Sequence, residues 1–121
     1  MPDDEYLAGV LRLVQAYLRP MANSSADQIR DLMKPPAADP DEIAIEFGEA
    51  ERLIPQLVHA GVISRRAEDM VHHIRDQLNR LEERNDPNVW TYDALEHDPD
   101  WAELRNRARQ ALAALSGSAG P

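Results

Sequence analysis

The chain has 121 residues, a length that suits one domain around one core, and its 43% hydrophobic and 29% charged residues match a globular composition. It contains no cysteine, which excludes disulfides, thiolate catalysis and Cys-based zinc sites. The formal net charge of −9 is repelled by phosphate backbones and anionic membrane surfaces, and no stretch approaches the ~18 apolar residues of a membrane span.

The acidic start MPDDEYLAGVL lacks the positive region of a secretory signal, and a cytoplasmic protein is expected. Within it begins the first helical pattern. Leu7, Leu11, Val14 and Leu18 alternate at spacings of four and three, and Tyr6, Val10, Leu13 and Tyr17 repeat that pattern beside them. At about 100° per residue the two rows merge into one wide apolar face, so a helix is predicted over 4–19. A face that broad belongs to a helix with several neighbours, and it is where a homodimer would form. Pro20 is expected to end the helix.

Ser25-Ala26-Asp27-Gln28 has the form of a capping box, with Gln28 reaching back to the start of a short helix that turns Ile29, Leu32 and Met33 inward. Lys34-Pro35-Pro36 stops it, and 35–39 reads as a stiff connector rather than a domain linker. Asp39-Pro40-Asp41-Glu42 starts the next helix, with Asp39 as cap and acids against the positive end of the dipole. Ile43, Phe47, Ala50, Ile54, Leu57 and Val58 form its inward stripe, and Pro55 predicts a kink or break near Ile54.

In HAGVIS, Gly61 suits the left-handed position after a helix, and Ser64 suits the cap of the next. That helix is predicted over 65–84, with Ala67, Met70, Val71, Ile74, Leu78 and Leu81 inward. Thr91 is placed as the cap of a single turn holding Tyr92 and Leu95. Asp98-Pro99-Asp100 opens a last helix with Trp101, Leu104, Ala108, Ala111, Leu112 and Leu115 inward. No alternating Val/Ile/Thr run or hairpin turn competes. The expected fold is all-α: a compact antiparallel bundle of four main helices plus one or two short ones. It forms a single domain over 1–115, followed by a flexible tail at 116–121.

No P-loop, Gly-x-Gly-x-x-Gly, His-Glu-x-x-His or Gly-x-Ser-x-Gly motif is present, so neither an enzyme nor a cofactor is expected. In MVHHIRD, His72 points about 160° away from Ile74 and shares an outer face with Asp69 and Asp76, whereas His73 falls on an arginine-rich flank. The spacings Asp69–His72 and His72–Asp76 allow an exposed metal or acid–base group, kept as an alternative. A second alternative is a helix-turn-helix-like regulator around HAGVISRRAEDM, which the net charge disfavours.

Acids gather in two runs. Asp39 to Glu51 holds six acids and no base, and Glu82 to Glu103 holds eight acids and only Arg84. The main expectation is therefore a small acidic protein–protein interaction module, of inhibitor, immunity or adaptor type, that docks a basic partner. Its candidate contacts are Glu46, Glu49, Glu51, Asp93 and Glu96, with Trp90 and Tyr92 as aromatic anchors.

Overall fold

A computed structural model describes residues 3–118. Six α-helices follow in order: α1 (Asp3–Ala22), α2 (Ser25–Leu32), α3 (Asp41–His59), α4 (Arg65–Glu83), α5 (Tyr92–His97) and α6 (Pro99–Ser118). One 3-10 turn, Pro87–Trp90, precedes α5, and no strand is present among the described residues. The four long helices form a ring in which α1 packs most extensively on α3 and α6, α6 on α4, and α4 on α3.

Ring neighbours run antiparallel. The last turn of α1 and the first turns of α3 share one hollow, as do the start of α3 and the end of α4. The start of α4 meets the end of α6. Arg109 of α6 donates to the Ala22 carbonyl at the end of α1. One end of the bundle is closed by α2, α5 and the 3-10 turn; among the described residues, the other carries the α3–α4 turn. Residues 119–121 of the expected tail lie outside the described residues, and α6 itself continues to Ser118.

The inward stripes fill the core. Phe47, Ala50, Leu57, Ile74, Leu81, Trp101, Leu104 and Leu115 are all fully buried. The α3–α4 turn forms as its glycine predicts. Gly61 adopts φ +74°, its N–H reaches the Val58 carbonyl (3.0 Å), and the Val62 N–H reaches Leu57 (2.9 Å). Those two bonds satisfy carbonyls that the end of α3 leaves free. Ser64 then caps α4 by accepting from the Ala67 N–H, and Thr91 caps α5 by accepting from Ala94.

Several local expectations are corrected. Pro20 does not end α1, which runs to Ala22. A proline denies a bond only to the carbonyl four residues back, and burial of Met21 carries the helix past it. Pro55 does not break α3. The helix runs through it unbroken to His59, and Pro55 itself is exposed. The cap of α2 is Ser24, whose Oγ accepts from Asp27 N–H. Asp39 caps nothing with its side chain. Met33, Tyr6 and Leu13 are exposed, so the wide apolar face of α1 is only partly covered. In place of Met33 the core near α2 takes a polar residue, Gln28.

Candidate functional site

The closed end of the bundle carries both acidic runs and three of the surface hollows. What differs among these hollows is whether the chain supplies its own cation. Near Trp90, the hollow between α3 and α4 is lined by Asp39, Asp41 and Glu82, and also by Arg75. Arg75 grips Glu51 with two bonds (3.0 and 2.7 Å), lies 3.8 Å from Glu82, and stacks 5.2 Å from the Phe47 ring centre. The bond to Glu51 and the field of both acids raise the Arg75 pKa further. The hollow beside α5 likewise has an arginine in its lining. Arg84 donates to Asp98 (2.7 Å) and Asp100 (2.9 Å), which raises its pKa.

The third hollow, of about 540 Å³, lies between α1, α2 and α3. Pro20, Leu32, Ile43 and Ala38 make it partly apolar, and Asp31, Glu42 and Glu46 supply charge. No basic side chain lines it. Lys34 reaches Asp31 (3.3 Å) from outside, but no ion pair joins Glu42 or Glu46 to a cation among the described residues. Burial, then the negative field of Glu42, raises the Glu46 pKa. The two glutamates stand four apart on one helix face, an arrangement that costs a few tenths of a kcal/mol. Glu42 in the first turn of α3 is repaid by the helix dipole, which fades before Glu46 in the second.

The walls of this hollow are held from behind. Gln28 is 2% exposed. Its Nε2 donates to the Pro20 and Met21 carbonyls (3.0 and 3.1 Å), and its Oε1 accepts from Arg105 Nη1 (3.1 Å). Arg105 also donates to the Leu95 carbonyl (2.8 Å). Among the described residues no carboxylate pairs with Arg105, and burial, aided by Arg109, lowers its pKa. A guanidinium so placed keeps its charge and ties α6 to α2 and α5 through neutral acceptors. On the opposite wall, the Tyr92 hydroxyl donates to the Ala38 carbonyl (2.8 Å).

The predicted contact residues therefore do not form one surface. Glu46 lines the uncompensated hollow, and Tyr92 fixes its wall rather than standing free as an anchor. Glu51 lies about 140° around α3 from Glu46 and is held by Arg75; Glu49 pairs with Arg52. Asp93 pairs with His97 (3.1 Å), and Glu96 is exposed, with no ion pair among the described residues. Trp90 is half-buried, edge-on to Trp101 at 6.0 Å between ring centres. Glu42, Asp31 and Gln28 were not among the expected contacts. The i, i+4 relation of Glu42 to Glu46 was the signal available for the first.

His72 and His73 are both exposed, and the His73 carbonyl accepts from Arg107 (2.8 Å). No group of three or more His, Asp or Glu side chains able to hold a metal occurs among the described residues, so Asp69, His72 and Asp76 do not assemble one. No helix is long and apolar enough to cross a membrane among those residues. Comparison with protein-family models, curated proteins and solved structures finds no match, so the residues themselves carry the functional argument.

Proposed function

We propose that the chain is a small acidic protein–protein interaction module whose closed end docks a basic partner. The observation that carries this reading is the contrast among the three hollows: two include an arginine in their lining, Arg75 and Arg84, and the one between α1, α2 and α3 has no basic lining residue, with Glu42 and Glu46 unpaired among the described residues. A cation from outside relieves their mutual repulsion and finds a preformed wall, which lowers the ordering cost of binding. Acids around the same end steer a basic surface toward it. An inhibitor, immunity-type or adaptor role suits such a surface.

The test is capture from native cytosol by the full chain at low and high salt, beside a variant carrying Asp41→Asn, Glu42→Gln and Glu46→Gln. A basic protein retained at low salt, released at high salt and lost from the variant is the expected result. Identical protein sets on both baits would refute the reading. Self-association is a second reading. It rests on exposed Tyr6 and Leu13, which lie within about 20° of each other on α1. Light scattering of the native chain against Leu13→Glu distinguishes dimer from monomer.

A further inference from the structure

We infer that the outer face of α1 pairs antiparallel with the same face of a second copy, setting Leu13 on the partner's Gly9 and Tyr6 on the partner's Ala16. This deepens the self-association reading and rests on it.

Two stripes of heptad spacing run along α1. Leu7, Leu11, Val14, Leu18 and Met21 pack into the core. Tyr6, Gly9, Leu13 and Ala16 repeat at steps of three and four on the outer side, within about 80° of each other. Tyr6 is 61% and Leu13 45% exposed, and Ala16 is exposed as well. Gly9 weakens the helix it stands in. Nothing among the described residues requires it, because an added Cβ meets only Arg12 Nη2 at 3.8 Å. Gly48 of α3 is equally unconstrained, so the weight rests on the place of Gly9 between two exposed apolar side chains. There it leaves a hole that a side chain from outside can fill.

Charge selects a second copy and its direction. Glu5, Arg12 and Arg19 recur at intervals of seven along one edge of this stripe, and all three are exposed. Antiparallel pairing brings the acidic start of each α1 beside the basic end of the other, so Glu5 meets the partner's Arg19 twice across a twofold axis. In that register each large residue falls on a small one. Slid by one heptad, either Leu13 overhangs the partner helix or Arg12 meets the partner's Arg19. Parallel pairing would stack Tyr6 on Tyr6 and face one glycine with another, with Glu5 and Arg19 at opposite ends. The two Arg12 side chains flank the axis, each copy carries a net charge of −9, and one helix face is a small contact, so the dimer is weak.

Sedimentation equilibrium of the native chain, in about 0.15 M salt to screen the net charge, should show a concentration-dependent dimer. Gly9→Ala should weaken it about tenfold by filling the hole, while raising the unfolding temperature of the dilute monomer. Glu5→Arg and Arg19→Glu should each weaken it about tenfold, and their combination should restore most of the loss. The chain has no cysteine, so nitroxides on Glu5→Cys and Arg12→Cys report the direction. The Arg12 labels should be close, and the Glu5 labels about 21 Å apart along the helix axis. Far-UV circular dichroism confirms that each variant is folded. A native chain that is monomeric at every concentration removes the self-association reading and this inference together, as does a dimer that Leu13→Glu leaves intact. A dimer lost in Leu13→Glu but showing equal label distances, no rescue by the double charge swap, or full affinity in Gly9→Ala keeps the self-association reading and overturns this pairing.

Discussion

Replacing Gln28 by leucine keeps the approximate size of the side chain and removes every hydrogen bond it makes. The side chain is buried at 2% exposure, so water cannot take over. Two amide-to-carbonyl bonds, to Pro20 and Met21, are lost, together with the charge-assisted bond from Arg105. Neutral bonds contribute about 0.5–1.5 kcal/mol each and a bond to a charge about 1.5–3. The apolar burial of leucine offsets part of this, which leaves an expected cost of about 2–4 kcal/mol against a typical total of about 5–15. Urea unfolding followed by far-UV circular dichroism measures it directly. Arg105→Met, made alone and in combination, closes a double-mutant cycle. Because both residues belong to one network, the double variant should lose about 1–2 kcal/mol less than the sum of the singles. A cost for Gln28→Leu below about 1 kcal/mol, or strict additivity with Arg105→Met, would refute the claim that this network holds α2 against α6.

Three further outcomes follow from the same reasoning. The Glu46 pKa is raised in the folded protein, so folding favours its protonated form; the charged form costs stability above the folded pKa, and that cost disappears as pH falls below the unfolded pKa. Glu46→Gln should therefore stabilise the chain at neutral pH, by no more than about 0.5 kcal/mol at this partly exposed site, with the gain vanishing in acid. Thermal unfolding across pH checks it, and a loss of stability at neutral pH contradicts it. Gly61→Ala should cost about 1 kcal/mol, since the added methyl meets no atom within 4 Å and only the φ of +74° opposes it. Trp101→Phe removes the buried Nε1–H bond to the Val89 carbonyl (2.8 Å) along with ring volume, for about 2–3 kcal/mol by denaturant unfolding.

The helices could be read from the sequence because each carries a period that only one backbone geometry satisfies. The stripe Ile43–Phe47–Ala50–Ile54–Leu57 is buried throughout, and the turn at Gly61 forms as its chemistry requires. Pro20 ends no helix, for a physical reason. Local rules weigh the lost hydrogen bond but not the burial of Met21 that carries the helix across the defect. The buried polar residues escaped for a related reason. Gln28, Gln77 and Arg105 are polar letters on a helical wheel, and their burial depends on partners far away in sequence. Gln77 reaches Asp100 (2.8 Å), and Arg105 reaches back to Gln28. Periodicity assigns such residues to water, whereas here they cross-link the helices.

The same distinction governs the candidate site. Two acidic runs are visible in the sequence, yet the property that matters for binding is the charge left over after the chain has answered its own acids. All but one of the 13 basic residues are arginine, Lys34 being the exception. A guanidinium can serve more than one carboxylate. Arg84 serves Asp98 and Asp100, and Arg75 serves Glu51 while lying near Glu82, across sequence separations that no local rule supplies. Glu51 and Glu46 looked equivalent within one run, but helical geometry turns the first toward Arg75 and the second toward a hollow with no basic lining residue. The density of acids is thus a weak guide to where a cation binds. A hollow whose lining holds acids and no basic side chain is a stronger one, and that describes the hollow of Glu42 and Glu46 rather than the more acidic stretch around α5, where Arg84 lines the surface.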